Sequence, residues 1–592
     1  MKIADYIMSF ISDLGVREVF CVTGGGAMHM NHALGNSEIL EGVFMLHEQG
    51  AAIAAEAYAR ITDGYGCCLV TSGPGATNAL TGLVGAYIDS IPVIFISGQA
   101  KRADLVGNQK LRQFGIQEVD IISMVKKYTK YAVQIERPEN IKYELQRAAF
   151  LAMEGRPGPV WIDIPLDIQA CDVDADGLAE YKQERRCFDA SEDDISKTIE
   201  LINQSKRPVL IIGHGVRLSH AVEEMRELYN ALGIPVLTTW NGVDLIEENH
   251  PLYFGRPGAV GQRAANFIQQ SADLVITIGT RLNLLNTGYN FDSFLNRAKH
   301  VMVDIDENEM NKKSVHPYLK VVCDAKSFIC SMLARINQIK RRAFPEWIGR
   351  CTYLQNKYPN RIPEQKAKQG YVSTYDLATE ISNQLKSNDI YQFTSSGTSV
   401  DITMKVLEIK WGQRAFLTKG LASMGYDIPA CIGSCIGSGG RRTVCITGDG
   451  SFAMNMQELE VIKRLDLPVK IFVVDNSGYS MIYQSQNNNF NGELIGCTRK
   501  SGLSLPDALR VANAFGIKGE SIDTSDQLEL VVKNVLEEKG PVICRVRADI
   551  TQPILPKQTN YMTEDGQMAS RPLEDMSPLL SREELMDSLY MD

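Results

Sequence analysis

The motifs GDGS at 448–451 and DNSG at 475–478 decide how the C-terminal third of this 592-residue chain folds. Each motif ends a run rich in β-branched residues, VCIT at 444–447 and VKIFVVD at 469–475. The segment MNMQELEVIKRL between them has apolar residues at helical spacing. The pattern predicts a strand, a turn, a helix and a second strand, a right-handed unit that lays both strands parallel in one sheet.

Asp449 and Asn476, 27 residues apart, stand at the carboxyl ends of these strands and are predicted to converge there. A carboxylate oxygen, an amide oxygen and a backbone carbonyl, here assigned to Gly478, are the hard donors that Mg²⁺ prefers. Gly448 and Gly450 let the backbone approach a phosphate, and the following helix offers its amino end to negative charge. Either motif alone is an ordinary turn, but the pair at this spacing predicts a site for Mg²⁺ and a diphosphate.

GDGS followed at this distance by an asparagine resembles the metal and diphosphate motif of thiamine diphosphate (ThDP) enzymes. The segment KGLASMGYDIPACIGSCIGSGG from residue 419 resembles the stretch that runs beneath the bent cofactor in that family. Met424 matches the bulky residue that wedges between the two cofactor rings, although a methionine in a glycine-rich stretch also serves as a gap filler. The resemblance implies that these residues of the C-terminal third contact the cofactor: Gly397, Thr398, Ser399, Ser423, Met424, Gly448, Gly450, Ser451 and Tyr479.

Glu48 lies between a predicted strand, EGVFML at 41–46, and the predicted helix HEQGAAIAAEAYARI at 47–61. A glutamate in a first helical turn also suits the helix dipole, so the position alone assigns no role. By resemblance, Glu48 matches the glutamate whose carboxyl group hydrogen-bonds the pyrimidine ring of the cofactor and activates it. The resemblance therefore implies that the N-terminal third supplies the other half of a cofactor site.

Three segments of the N-terminal third are very similar to the acetolactate synthase (acetohydroxyacid synthase) large subunit: VFCVTGGGAMHMNHAL at 19–34, HEQGAAIAAEAYAR at 47–60 and TSGPGATNAL at 71–80. The resemblance implies cofactor contacts from Pro74 and Asn78. It also implies a catalytic set of Glu48, Gln117, Gly25 and Gly26, although Gln117 also fits the start of a surface helix. In this family the cofactor lies between two subunits, which implies a homo-oligomer with active sites at the dimer interface.

Apolar strands that alternate with helical segments predict an α/β protein with three doubly wound parallel-sheet domains and an irregular C-terminal tail. The N-terminal domain is expected to bind the pyrimidine ring and the C-terminal domain the diphosphate and Mg²⁺. Changes in composition predict the ranges 1–172, 190–345, 365–550 and, for the tail, 551–592.

Net charge, the lengths of apolar runs and the spacing of cysteines exclude several classes of protein. A net charge of −10 gives no footprint for nucleic acid or for an anionic membrane surface. No apolar run approaches the length of a membrane span, and the first residues have neither signal-peptide nor transit-peptide features. The 13 cysteines are scattered without metal-binding spacing, which is typical of reduced core residues. We therefore expect a cytoplasmic protein.

Glycine turns and strand-end acidic residues of the predicted central domain leave FAD open as a further cofactor. In acetolactate synthases and pyruvate oxidases this domain holds FAD, whereas many ThDP enzymes keep it empty, and ordinary strand-to-helix turns use the same residue types. The segments that would contact a flavin are GHGVR (213–217), GRPGAVG (255–261), GTRLN (279–283) and DIDENE (304–309).

Several positions depart from the acetolactate synthase pattern, and each departure removes bulk or charge near the second substrate. Gly397-Thr398-Ser399 replaces the usual Gly-Gln-His, and Gly478 stands where a histidine is usual. Ile116 replaces a phenylalanine and Ser485 a tryptophan, while Asn108 and Gln109 replace arginines. We therefore expect an acceptor larger than pyruvate or 2-ketobutyrate, such as a keto-sugar nucleotide or an aldehyde.

The resemblance implies decarboxylation of a 2-keto acid, expected to be pyruvate, with ThDP and Mg²⁺, and carboligation of the acyl unit to a second carbonyl compound. One alternative is a non-ligating 2-keto-acid decarboxylase, which the missing His-His pair disfavours. Another is an FAD-dependent enzyme of the pyruvate oxidase type. A non-catalytic scaffold is disfavoured because Glu48, Asp449 and Asn476 are all present.

Overall fold

Three sheets of parallel strands, each flanked by helices, make up the computed structural model, which describes residues 1–184, 186–340 and 343–589. This architecture confirms the predicted fold class of three doubly wound α/β units. Residues 341–342 of the predicted central range and 590–592 of the predicted tail lie outside the described residues. No helix of the described chain is both long enough and apolar enough to cross a membrane.

The N-terminal unit is a six-stranded parallel sheet. Its strands are β1 (Glu18–Cys21), β2 (Glu41–Phe44), β3 (Gly66–Val70), β4 (Val93–Gln99), β5 (Tyr131–Gln134) and β6 (Val160–Pro165). Its helices are α1 (Ile3–Asp13), α2 (Met28–Gly35), α3 (Glu48–Thr62), α4 (Pro74–Asn78), α5 (Leu80–Asp89), α6 (Ile121–Val125), α7 (Ile141–Met153) and α8 (Leu166–Gln169). The spatial order β2-β1-β3-β4-β6-β5 places the fully buried β3, β4 and β6 together, which explains their nearly unbroken apolar sequences.

The middle unit is a five-stranded parallel sheet in the order β11-β10-β9-β7-β8. The strands are β7 (Pro208–Ile212), β8 (Val236–Thr238), β9 (Leu274–Ile278), β10 (Lys299–Asp304) and β11 (Leu319–Val322). The helices are α9 (Glu192–Gln204), α10 (Gly215–Leu218), α11 (Val222–Leu232), α12 (Arg263–Ser271), α13 (Leu284–Thr287), α14 (Glu307–Met310), α15 (Ala325–Ala334) and α16 (Pro345–Lys357). Trp347, Cys351 and Leu354 of α16 are buried in this core, so the unit continues past residue 345.

The C-terminal unit is a six-stranded parallel sheet in the order β13-β12-β14-β15-β17-β16. The strands are β12 (Ile390–Phe393), β13 (Arg414–Phe416), β14 (Thr443–Gly448), β15 (Val469–Asp475), β16 (Lys518–Ile522) and β17 (Val542–Arg547). The helices are α17 (Thr374–Gln384), α18 (Thr398–Val406), α19 (Asp427–Gly437), α20 (Asp449–Phe452), α21 (Leu459–Arg464), α22 (Ser480–Asn489), α23 (Ala508–Ala514) and α24 (Leu528–Glu537). The strand, turn, helix and strand predicted around GDGS and DNSG are β14, α20 with α21, and β15.

The tail contains a short antiparallel hairpin of β18 (Asn560–Met562) and β19 (Met568–Ser570), followed by α25 (Arg582–Ser588). The sequence predicted an irregular tail and did not indicate this hairpin, because the two three-residue strands carry no apolar alternation. Leu573 and Leu585 of the tail are buried in the core of the middle unit. The tail is therefore docked on that unit.

Helix α3 joins the N-terminal unit to the C-terminal unit by packing against α19, and one apolar core spans both. At this junction the buried Arg60 donates to Glu56 at 2.6 Å and to Asp89 at 2.8 Å. Tyr426 of the C-terminal unit donates to Glu56 at 2.7 Å. These buried charges are paired and hydrogen-bonded, which is the condition for tolerating them in a core.

Candidate active site

Asp449 and Asn476 come together where β14 and β15 end side by side. The strands pair in parallel with Gly448 opposite Val474, so the residues that follow each strand share one edge of the sheet. Asp449 Oδ1 accepts the N–H of Gly450 at 2.8 Å, and its Oδ2 accepts the N–H of Gly478 at 3.2 Å. The structure thus joins the two motifs that the sequence predicted to converge.

This cluster has the features of a cation site. Asn476 Oδ1 is buried and has no hydrogen-bond partner among the described residues. Burial, and secondly the neighbouring charge of Asp475, raises the pKa of Asp449 to about 7. Both the unpaired oxygen and the destabilised carboxylate would gain from a bound cation. In the described ranges no group of three or more His, Cys, Asp or Glu side chains could hold a metal, so the ion would depend on mixed carboxylate, amide and backbone oxygens, as Mg²⁺ allows.

Tyr479 and Met424 pack closely on Gly450 beside this cluster, and we call these three residues the Gly450 cradle. A Cβ built on Gly450 would lie 2.3 Å from a ring carbon of Tyr479 and 3.1 Å from the methyl carbon of Met424. Ser451 fixes the neighbouring chain, because its Oγ accepts the N–H of Gly425 at 2.8 Å. The segment that contains Ser423 and Met424 is therefore tied directly to the GDGS turn.

The Gly397-Thr398-Ser399 turn lies at the same edge, at the amino end of α18. Gly397 has a φ of 99°, a conformation that favours glycine. Thr398 and Ser480 share a hydrogen bond of 2.7 Å between their hydroxyl oxygens, and Ser399 Oγ lies 3.8 Å from a Cβ built on Gly448. The amino ends of α18 and α20 thus lie close together, an arrangement that would suit a diphosphate.

Two hydroxyl residues that the sequence reasoning missed take part in this arrangement. Ser480 binds Thr398, and Thr394 donates to Ser451 Oγ at 3.0 Å. Thr394 directly follows β12 and Ser480 opens α22. Their places beside the end of a parallel strand and at the start of a helix are the signal that could have identified them.

The N-terminal unit assembles its own group of predicted residues around Glu48. Glu48 opens α3, and its Oε2 accepts a hydrogen bond from Asn78 at 3.0 Å. Pro74 is the first residue of α4, and a Cβ on the next residue, Gly75, would lie 3.4 Å from Glu48 Oε1. The structure therefore brings Glu48, Pro74 and Asn78 to one place.

Gly25, Gly26 and Gln117 lie against the same β3–α4 turn. The N–H of Gly26 donates to Thr71 Oγ1 at 3.0 Å, and Gly25 precedes it in the same turn. A Cβ built on Gly73 would lie 2.8 Å from the carbonyl oxygen of Gln117. Thr71, which the sequence reasoning did not single out, follows β3 directly and binds the turn that contains Gly25 and Gly26.

We call these two groups of residues, one in each terminal unit, the half-sites. No hydrogen bond among the described residues joins Glu48 to the Asp449 and Asn476 cluster. The side chain of Ile116, next to Gln117, is 91% exposed, and Ser485, Asn108 and Gln109 are exposed as well. Residues predicted to line the acceptor pocket therefore face open space in the single chain.

A separate cleft opens at the carboxyl edge of the middle sheet. It spans about 1170 Å³ of space, part of it open to solvent. Burial lowers the pKa of His214 well below its ordinary value, and burial raises the pKa of Asp304 to about 6. All four segments considered for a flavin contribute to its wall, among them His214, Gly215, Pro257, Val260, Gly261, Gly279, Arg281, Asn283, Asp304 and Ile305.

Family models of three domains match the chain in the order of the three sheets. Residues 1–124 match the N-terminal TPP binding domain of thiamine pyrophosphate enzymes, residues 195–332 the central domain and residues 395–546 the C-terminal TPP binding domain. Fold and site together therefore define a ThDP-dependent enzyme, thiamine pyrophosphate being the same cofactor.

Relatives cover nearly the whole chain. The acetolactate synthase isozyme 2 large subunit of Escherichia coli is 32% identical over 98% of this chain and 100% of its own length. A probable acetolactate synthase large subunit of Methanocaldococcus jannaschii is 34% identical over 93% of this chain and 92% of its own. The acetolactate synthase large subunit of Cyanidium caldarium is 32% identical over 89% of this chain and 90% of its own length. The chain belongs to the family of acetolactate synthase large subunits.

Proposed function

We propose that this enzyme decarboxylates pyruvate and joins the resulting acyl unit to a carbonyl compound larger than pyruvate. The observation that carries the proposal is the pair of half-sites, each with polar groups grouped at a sheet edge. The unpaired Asn476 Oδ1 beside Asp449 supports a Mg²⁺ ion held by Asp449, Asn476 and Gly478. The Gly450 cradle and the Gly397, Thr398 and Ser399 turn support a diphosphate next to that ion.

The chain's own residues would divide the work. Thiamine diphosphate supplies, when bound, a carbon nucleophile and an electron sink for loss of CO₂ from a 2-keto acid. Glu48 would hold and exchange a proton at the pyrimidine end, where Asn78 already orients its carboxyl group. Gln117 with Gly25 and Gly26 would line the space for the reacting carbonyl groups.

The acceptor assignment rests on bulk that this chain lacks. Ile116 and Ser485 stand where the family has a phenylalanine and a tryptophan. Gly478 stands where it has a histidine but adds no space, because a Cβ there would lie 2.2 Å from the carbonyl oxygen of Cys497. Missing side chains leave a wider pocket, and a keto-sugar nucleotide or an aldehyde would use that space. A single methylene contact is worth about 10- to 200-fold in discrimination, and a widened pocket should therefore leave pyruvate as a poor acceptor rather than an excluded one.

Competition between acceptors tests this assignment. The enzyme should give a higher kcat/KM with a keto-sugar nucleotide or a bulky aldehyde than with pyruvate or 2-ketobutyrate as acceptor, with pyruvate as donor throughout. Ile116→Phe and Ser485→Trp should restore bulk and shift the preference towards pyruvate by about 10-fold or more. Wild-type preference for pyruvate, unchanged in both variants, would contradict the assignment.

We also propose a homo-oligomer in which each active site combines Glu48 of one subunit with Asp449 of another. The half-sites and the exposed Ile116 support this arrangement. Glu48→Gln and Asp449→Ala should each be inactive. When the two variants are mixed, half of the dimers should contain one subunit of each, and each such dimer has one intact site of two. About a quarter of wild-type activity should therefore return. Sites contained within one chain would give no recovery.

The middle cleft supports FAD as a bound cofactor, since all four candidate segments line it. Purified protein should be yellow with a flavin spectrum, and colourless active protein would contradict this part of the proposal. The same cleft is the observation that favours the pyruvate oxidase alternative, which production of acetate with peroxide would identify.

A cytoplasmic location is supported by 13 cysteines that are all free thiols.

A further inference from the structure

The turn between β2 and α3, which presents Glu48, is held by two side chains of the C-terminal unit. Arg464, the last residue of α21, donates to the carbonyl oxygen of Phe44 at 2.6 Å. Glu458, directly before α21, accepts the backbone N–H of Leu46 on Oε2 at 3.2 Å. The contact joins residues 412 positions apart, so it exists only once both units have folded against each other.

Glu458 makes the buried one of the two contacts. It is 0% exposed, whereas Arg464 is on the surface. A Cβ built on Gly50 would lie 2.5 Å from Glu458 Oε1. The first turn of α3 therefore comes this close to the carboxyl group only because residue 50 has no side chain. Free N–H groups at the amino end of a helix favour an acceptor at this position.

The surroundings of Glu458 fit an acceptor for the backbone rather than a partner in an ion pair. Burial raises the pKa of Glu458 to about 7, against hydrogen bonds from Leu46, Gln457 and His47 that lower it. His47 caps α3 from within its own segment, its Nδ1 accepting the N–H of Gln49 at 3.1 Å. Glu48 thus follows a turn that is fixed on one side by its own unit and on the other by Glu458.

We propose that Glu458 is a positioning residue for Glu48: it holds the β2–α3 turn from the C-terminal unit and so sets where the Glu48 carboxyl group points. The inference rests on the proposed role of Glu48. Glu458 itself contacts none of the residues of either half-site by a hydrogen bond among the described residues. Its effect reaches the reaction through geometry alone, and misplacement of a catalytic group by about 1 Å can cost on the order of 100-fold in rate.

Glu458→Ala, Glu458→Gln and the control Glu460→Ala test this role. Glu460 lies two positions further on, in α21, and is exposed, so its substitution should change nothing. Glu458→Ala should lower kcat about 10- to 100-fold, with the KM for pyruvate and the Kd for ThDP each within about 2-fold of wild type. Glu458→Gln keeps an acceptor oxygen for Leu46 and should restore kcat to within about 3-fold of wild type.

Backbone amide hydrogen exchange of the ligand-free protein provides a readout that does not depend on activity. Exchange over residues 44–50 should quicken at least about 10-fold in Glu458→Ala, while Glu458→Gln and Glu460→Ala should match wild type. If Glu458→Ala does not fold, Gly50→Ala strains the same contact from the opposite side and should show the same selective loss of kcat.

Three results would overturn the inference. Wild-type kcat together with unchanged amide exchange in Glu458→Ala would show that the contact has no role. Equal loss in the Gln and Ala variants would show that charge, not position, matters. If a higher KM for pyruvate or a higher Kd for ThDP accounted for the whole effect, Glu458 would support the fold in general rather than the position of Glu48. Inactivity of the wild-type enzyme would instead count against the proposed function, and the exchange experiment would still decide on the contact.

Discussion

Substitution of Gly450 by alanine should weaken cofactor binding without unfolding the protein. The added Cβ would lie 2.3 Å from a ring carbon of Tyr479 and 3.1 Å from the methyl carbon of Met424. Unstrained carbon atoms approach to about 3.5 Å, so the tyrosine ring must move by more than an ångström. Because Tyr479 is only half-buried, it can turn away in the free protein, into the space that the cofactor needs.

The size of the effect follows from the cost of overpacking. One extra methyl group in a well-packed place costs about 1–3 kcal/mol. At about 1.4 kcal/mol per factor of ten, ThDP should bind roughly 5- to 150-fold more weakly to Gly450→Ala. The melting temperature of the ligand-free protein should change by less than about 3 °C, since a half-buried ring relaxes at little cost.

Isothermal titration with ThDP in excess Mg²⁺ measures this difference. Gly349→Ala is the matched control, because a Cβ at this helical position has no neighbour within 4 Å and should leave affinity unchanged. Wild-type affinity in Gly450→Ala would show that the Tyr479 and Met424 cradle does not hold the cofactor, and the reasoning would fail there.

Three further substitutions carry distinct expectations. Glu48→Gln should lower turnover by about 10²- to 10⁴-fold, the usual value of a proton-transferring group, with an unchanged melting temperature; full activity would defeat the assignment of Glu48. Asn476→Ala removes the unpaired amide oxygen and should raise the Mg²⁺ concentration for half-maximal activity at least about 10-fold, whereas an unchanged requirement would place the ion elsewhere. Burial raises the pKa of Glu458 from 4.5 to about 7. Between these two pH values the folded protein binds a proton that the unfolded chain does not, so the contribution of this group to stability falls as pH rises through that window. Glu458→Gln cannot ionise and should therefore lose less stability than wild type over that range, by about 3 kcal/mol, in urea unfolding at pH 5 and pH 8; parallel pH profiles would contradict this.

Much of the fold and half of the site were readable in the sequence for one physical reason. Buried parallel strands such as β14 and β15 are continuous apolar runs, and the polar residues that follow them must share a sheet edge. Asp449 and Asn476 were therefore predictable neighbours from spacing alone. Resemblance to a family added Glu48, which no local pattern distinguishes from a glutamate that merely suits a helix dipole.

The remaining features depend on contacts between distant parts of the chain. Glu458 is one glutamate in an apolar helical stretch, and its role appears only where α21 meets the β2–α3 turn. The β18–β19 hairpin is held by docking of the tail on the middle unit rather than by its own strand pattern. Such tertiary contacts leave no periodic signal, which is why sequence reasoning did not find them.

Carbon-13 NMR of the reaction of labelled pyruvate with the enzyme, ThDP and Mg²⁺ tests the central claim most directly. With a carbonyl acceptor present, the spectrum should show labelled CO₂ together with a new carbon–carbon bond between the acyl unit and that acceptor. Neither should form when ThDP is omitted, and both should form at least about 100-fold more slowly when Glu48 is replaced by glutamine. Free acetaldehyde, or acetate with peroxide, as the sole product would contradict carboligation.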